Sequence, residues 1–353
     1  MNYCATYLGP EGFGAYEVTW SGPVPELVRV NRSPDRLLIP GFVDVHFHGA
    51  YGIDFMSASK EQMVELADKV LREGYEAFLP TTVTASFADA TGAVVNLPDH
   101  PMMTGFHLEG PFISPYYPGA QPREAISDPP VGPSEWDALL EHPKLRYVTL
   151  APERPHALEL SSRLMQRRVI VSMGHSNATY EEARRGYEFG AAHTTHTYNA
   201  MRPFHHREVG LAGYALINSD VRCELIYDRL HVGKEAAALL FKCKPEDGVI
   251  AVSDSTAATR LAPGVRFTMW GHECVVGRGD VRLADGILAG SAVTLLDTFR
   301  NLAEDFGEET ATRACSLNPR RALRMTAPPR VFVEFDKSLQ IQGIRVDGKQ
   351  IDL

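Results

Sequence analysis

Between Gly41 and Asp254 the chain repeats one pattern eight times: a short apolar run of strand-forming residues, followed in most cases by an amphipathic helical stretch. The strand runs are GFVDVHF, YEAFLPTTVT, MMTGFHLEG, LRYVTLAPE, RVIVSMGHS, AAHTTHTYN, RCELIYD and GVIAVSDS. Near-continuous apolar strands that alternate with helices mark a parallel sheet, because each crossover helix must bury its apolar stripe on the sheet. After the first strand, KEQMVELADKVLREG places Met63, Leu66 and Val70 on one face, and Gly74 offers a C-terminal stop. Thr179 with Glu182 three residues on is a capping-box pattern. Later helices are expected over GKEAAALLFKC and, after a Gly-rich excursion at 258–290, over AVTLLDTFRNLAEDFG. Eight such units imply an α/β fold of the (β/α)8 TIM barrel type, here over residues 40–326. Residues 1–39 and 327–353 are β-rich and broken by Gly and Pro. They are expected to form a small accessory β-sandwich domain made from both chain termini.

The bulk charge removes several function classes. A net charge of −9 without any Lys/Arg run argues against a nucleic-acid or anionic-membrane partner. No apolar run is long enough to span a bilayer. The opening MNYCATYLGPEGFG has no basic stretch followed by an apolar core, so no signal peptide is expected. The five cysteines are scattered and odd in number, with no CxxC pair. They read as reduced thiols of a cytoplasmic protein.

Polar residues collect at the C-terminal ends of the strand runs: His46 and His48 on the first, His107 and Glu109 on the third, His175 on the fifth, His193 and His196 on the sixth, Asp228 and His231 at the seventh, Asp254 on the eighth. Parallel strands bring those ends to one face, where barrel enzymes keep their active sites. Strand positions i and i+2 point to one side, so His46 and His48 can grip one ion. Together with Glu109, His175, His196 and Asp254 they form an imidazole–carboxylate set. That chemistry suits Zn, Fe, Mn or Co better than Mg or Ca. Asp254 tips an otherwise apolar strand, where an unpaired carboxylate is costly. It is the candidate general acid/base. His107 and His193 read as hydrogen-bonded core histidines.

The motifs PGFVDVHFHG, HLEGPFISP, MGHSNATYEEA, THTYNAMRPFHHREVGLAG, IYDRLHV, AVSDSTAA and LAGSAVTLLDTFRNL resemble, in this order, the N-acetylglucosamine-6-phosphate deacetylases of the amidohydrolase superfamily. The match runs from about residue 40 to 325. The resemblance implies hydrolysis of an N-acetyl amide to glucosamine 6-phosphate and acetate, with one or two divalent ions per subunit. It assigns Glu109, His175 and His196 to the main metal site and His46 with His48 to a second one that some members lack. It makes Asp254 the acid/base, and Asn199, the Ala200 backbone and His231 substrate contacts. Arg207 would reach the phosphate of the neighbouring subunit's substrate, which implies a homodimer. From the residues alone, His205, His206 and Arg207 read equally well as a solvated loop.

The chain departs from the family pattern in places. After EGPFISP the family reads Lys-Gly-Ala-His, whereas this chain keeps Gly119 and Ala120 but has Pro118 and Gln121. Gln121 can still donate a hydrogen bond to an acetamide, but it cannot carry a proton. Arg229 replaces a usual glycine and is expected to border the pocket. These changes leave two alternatives open: a sister amidohydrolase acting on another acylated amino sugar such as N-acetylgalactosamine 6-phosphate, and a catalytically impaired sugar-phosphate binding protein.

Overall fold

The computed structural model describes residues 2–277, 279–283, 286 and 288–352. All eight expected strands form: Phe42–Phe47, Tyr75–Pro80, Phe106–Glu109, Leu145–Leu150, Ile170–Met173, Ala191–Thr194, Arg222–Ile226 and Val249–Val252. We number them first to eighth. The third to eighth form one parallel sheet in chain order, and the first pairs in parallel with the second. Backbone hydrogen bonds cross both remaining seams. Phe78 N–H donates to Met102 O (2.8 Å) and Thr82 N–H to His107 O (3.0 Å). On the other side Asp254 N–H donates to His46 O (3.1 Å) and His48 N–H to Ser255 O (2.9 Å). The sheet is therefore curled and barrel-like. Val45, Leu79, Tyr147, Ile226 and Ile250 pack in one cluster with Ala322 although they come from the first, second, fourth, seventh and eighth strands. A flat sheet could not bring the second and seventh strands into contact.

A helix follows each strand. Lys60–Leu71 buries Met63, Leu66, Ala67 and Val70 and carries a capping box between Ser59 and Gln62. Tyr180–Glu188 starts with the Thr179–Glu182 capping box read from the sequence. The helix Leu295–Phe306, after the eighth strand, buries Leu295, Leu296, Phe299 and Leu302. Burial of these apolar stripes, at about 25 cal/mol per Å², holds the helices on the sheet.

Both chain ends meet in one seven-stranded sheet. Its order is Lys349–Ile351, Ile341–Val346, Val331–Phe335, Arg36–Pro40, Asn2–Gly9, Gly12–Thr19 and Glu26–Arg29. The Gly-rich excursion is itself ordered. Strands Arg266–Met269, His272–Val276, Asp280–Leu283 and Leu288–Ser291 make a four-stranded antiparallel sheet after the eighth barrel strand. No helix among the described residues is long and apolar enough to cross a membrane.

Candidate metal centre and active site

The strand ends converge as expected. Past the first strand, Gly49–Ala50 pairs with Ile53–Asp54 in a tight hairpin. A Cβ on Gly49 would lie 2.1 Å from Ile53 O, so glycine is required for the chain to turn back after His48. His175, His196 and Asp254 sit just beyond their strands at φ of 46°, 30° and 48°. Left-handed backbone is strained for such residues, and it persists where surrounding contacts over-determine it. Here it turns all three side chains into the mouth of the curled sheet.

Two groups of ligand atoms result, His46–His48–Asp254 and Glu109–His175–His196, each with its atoms within 4.8 Å of one another. Glu109 joins them. Its Oε1 lies 3.3 Å from His46 Nε2, 3.2 Å from His175 Nε2 and 3.3 Å from His196 Nε2, and its Oε2 lies 3.3 Å from His48 Nε2. Asp254 Oδ1 is 3.5 Å from His46 Nε2 and 3.3 Å from His48 Nε2.

The second nitrogen of each imidazole shows what the cluster is built for. His46 Nδ1 faces Glu224 Oε2 (3.1 Å), His48 Nδ1 faces Thr81 O (3.0 Å), His175 Nδ1 faces Tyr117 O (3.1 Å) and His196 Nδ1 faces Asn199 O (3.2 Å). Every one of these partners is an acceptor, so each Nδ1 carries the proton and each Nε2 presents its lone pair inward. The lone pairs then meet head-on, with His46 and His48 Nε2 3.2 Å apart and His175 and His196 Nε2 3.0 Å apart. Four converging lone pairs beside two carboxylates fit a cation between them, and this arrangement of the outer nitrogens is how metal-binding histidines are oriented. The carboxylates draw positive charge into the same space, carried by a metal ion or, without one, by protons on the rings themselves. Burial pushes the His46 imidazole down, yet Glu109 and Asp254 hold it well above its ordinary value. His48, also pushed down by burial, is drawn up to about 9 by Asp254 and Glu109. Burial pushes Glu109 and Asp254 up, but the neighbouring imidazoles bring Glu109 well below the carboxylate range and Asp254 to about 2.

The cluster floors a cleft of about 300 Å³. His48, Glu109, Ala120, Gln121, His175, His196, Asn199, Ala200, His231 and Asp254, all singled out in the sequence, line it. His46 lies behind them and is fully buried. His231 is fixed by Asp228, whose Oδ2 is 2.6 Å from its Nδ1. Burial pushes this imidazole down, and Asp228 more than restores it, so its pKa is raised. Gln121 is held by two contacts of its own. Its Oε1 accepts from Thr84 N–H (2.6 Å), which aims its amide nitrogen at Glu109 Oε2 (2.5 Å).

Two arginines stand elsewhere. Arg207 is exposed on a loop, with Nη1 3.0 Å from His206 Nε2, and does not line this chain's cleft. Arg229, expected at the pocket edge, turns away to the Leu295–Phe306 helix, donating from Nε to Asp305 Oδ2 (2.8 Å) and from Nη2 to Glu304 Oε2 (2.7 Å). Two carboxylate oxygens and the Asn301 carbonyl hold that guanidinium more strongly than an open cleft would. His107 and His193 are buried core residues, bonded to Val45 O and Thr149 Oγ1 and to Tyr147 Oη respectively. Burial drives both imidazoles down, His193 to about 3.

Residue-by-residue reading of the sequence missed Glu224, Trp270 and Arg282. Glu224 is fully buried, and its Oε2 accepts from both His46 Nδ1 and the His196 backbone N–H (3.1 Å). A charged residue inside the apolar run RCELIYD was the available signal. Trp270 packs edge-on against His48, with ring centroids 5.2 Å apart, and its Nε1 donates to Asp54 Oδ2 (3.0 Å).

Residues 37–328 match the amidohydrolase family. The chain belongs to that family. It is 34% identical to an N-acetylglucosamine-6-phosphate deacetylase of Lysinibacillus sphaericus over 311 residues, covering 85% of this chain and 80% of the other. It is 33% identical to an N-acetylgalactosamine-6-phosphate deacetylase of Escherichia coli over 344 residues, 93% of this chain and 90% of the other. Among solved structures, a mutant N-acetyl-D-glucosamine-6-phosphate deacetylase from Mycobacterium smegmatis, in complex with N-acetyl-D-glucosamine-6-phosphate, superposes with a TM-score of 0.86 at 27% identity. That match covers 96% of this chain and 94% of the other.

Proposed function

We propose that this amidohydrolase cleaves the acetamide of N-acetyl-D-glucosamine 6-phosphate to D-glucosamine 6-phosphate and acetate. The observation that carries the reading is the pair of ligand groups joined by Glu109 at the floor of a sugar-sized cleft. Glu109, His175 and His196 would hold one divalent ion, and His46, His48 and Asp254 a second, with Zn, Fe, Mn or Co suited to the donors. A bound divalent cation lowers the pKa of water and polarises an acyl oxygen.

The chain's own residues supply the rest. Asp254 takes the proton of the attacking water as its oxygen bonds to the acyl carbon. It then delivers that proton to the amine nitrogen as the C–N bond breaks. Asn199, the Ala200 backbone and His231 line the cleft where the sugar would be held, and Ala120 and Gln121 border the acyl end. Gln121 acts there by holding Glu109 Oε2 as well as by facing substrate. Arg207, exposed and absent from its own cleft, suits a homodimer in which it reaches the neighbouring subunit's phosphate. The seven-stranded sheet from both chain ends supports an accessory domain of residues 1–39 and 327–353, completed as a β-sandwich, on a closed (β/α)8 barrel of residues 40–326. A cytoplasmic location accords with the scattered free cysteines.

Acetate release from N-acetylglucosamine 6-phosphate, measured beside metal content per subunit, tests the reading. Turnover requiring at least one bound ion is expected. Metal-replete protein that binds the sugar phosphate but releases no acetate would overturn it. The similarity to the galactosamine enzyme over 93% of the chain makes the 4-epimer the second substrate to assay.

A further inference from the structure

The cleft is rich in carboxylate and imidazole, yet a sugar 6-phosphate brings a dianion into it. Among the described lining residues one side chain is a permanent cation, Arg282. It stands on the Asp280–Leu283 strand of the four-stranded sheet, which lies in sequence between the eighth barrel strand and the Leu295–Phe306 helix. Resting on the function proposed above, we infer that Arg282 is a phosphate-recognising residue supplied within the same chain. It would make the enzyme discriminate phosphorylated from unphosphorylated amino sugars.

Three observations carry this. The guanidinium is already ordered: Nε donates to Asp280 Oδ2 (2.6 Å) and Nη1 to Gly286 O (2.8 Å). These contacts use two of the five N–H donors of a guanidinium. A pre-positioned fork loses less side-chain entropy on meeting an anion than a loose one. Arg282 also lines the same cleft as His231, Asn199 and Ala200, the residues placed around the sugar. Finally, the sheet that bears Arg282 is registered to the metal centre. Trp270, at the tip of the same sheet, is tied to Asp54 and packs on His48. The distance from the reacting acetamide to the phosphate site is then set by a folded sheet.

Asp280 and Arg282 together are close to neutral, which suits a site that must release its product. The carboxylate takes the Nε proton and the Gly286 carbonyl one Nη1 proton, leaving the remaining Nη protons to donate to a phosphate oxygen.

The test compares wild type, Arg282→Ala, Arg282→Lys and Arg229→Ala. The readout is the ratio of kcat/KM for N-acetylglucosamine 6-phosphate over unphosphorylated N-acetylglucosamine. Loss of a charge-assisted contact predicts a fall in this ratio of about 10- to 100-fold for R282A, seen mainly in KM. R282K should fall between, and R229A, whose charge is spent on Glu304 and Asp305, should keep the wild-type ratio. An unchanged ratio in R282A overturns the inference. Calorimetric binding of glucosamine 6-phosphate against glucosamine to the same proteins separates the two proposals. Wild type without turnover refutes the deacetylase reading alone. Equal phosphate dependence of binding in wild type and R282A refutes the role of Arg282 alone.

Discussion

Glu224 offers the sharpest check on how the metal centre is held. Its Oε2 is the acceptor for two buried donors, His46 Nδ1–H and the His196 N–H, both at 3.1 Å. Glu224→Ala leaves both without a partner in a place water does not reach. At about 1–3 kcal/mol per orphaned buried donor, the loss is roughly 2–6 kcal/mol of folding stability, with a further cost for the cavity. Against this stands relief of a desolvated carboxylate whose Oε1 has no hydrogen-bond partner. The expected net loss is therefore about 2–4 kcal/mol, from the lower and middle part of that range. Glu224→Gln keeps an acceptor oxygen, so most of the stability should return. Its neutral amide orients His46 less firmly, and metal affinity should still drop by about 10- to 100-fold. Urea unfolding of chelator-treated protein reads the first effect, and competition with a chromophoric chelator reads the second. If E224A unfolds within about 0.5 kcal/mol of wild type and E224Q binds metal as tightly, the two contacts do not hold the centre.

Three further outcomes follow from the same geometry. Asp254→Asn should retain metal bound at Glu109, His175 and His196 while kcat falls by about 10²- to 10⁴-fold, measured as acetate release from metal-replete protein. Replacing both His46 and His48 by Ala should lower metal content by about one ion per subunit, read by elemental analysis, because Glu109, His175 and His196 form a complete group without them. Arg320→Met should cost about 3–5 kcal/mol in thermal or denaturant unfolding. It removes the cation from Glu76, a nearly buried carboxylate whose Oε2 pairs with Arg320 Nη1 at 2.5 Å, and leaves it the Arg330 backbone N–H at Oε1.

The eight strands and their helices were legible because period and capping act locally. Alternation places His46 and His48 on one side, and the Thr179–Glu182 box marks a helix start whatever lies beyond it. The four-stranded sheet over residues 266–291 was not legible. Its first hairpin turns at Trp270 and Gly271, both at positive φ (53° and 81°), where Asn-Gly or Asp-Gly would be the expected signal. A tryptophan tolerates that backbone because Asp54 and His48, some 220 residues away in sequence, hold its ring. The direction of Arg229 was hidden for a similar reason: Glu304 and Asp305 belong to the Leu295–Phe306 helix, and only the fold brings them near. Glu224 was readable in type, as a charge in an apolar strand, but its two partners come from other strands.

The terminal sheet imposes an order of events on synthesis. Arg36–Pro40 has its antiparallel neighbour in Val331–Phe335, and Arg36 pairs with Glu334, 298 residues downstream. At ribosomal rates of 5–20 residues per second, that strand edge waits roughly 15–60 s for its partner. During that interval the nascent chain displays Leu37, Leu38 and Ile39, all buried in the finished protein, beside an unpaired backbone. The basic Arg36 at the edge is the local guard against a wrong neighbour. The histidines that begin six residues after Pro40 are thus anchored by a strand whose antiparallel partner is made nearly 300 residues later.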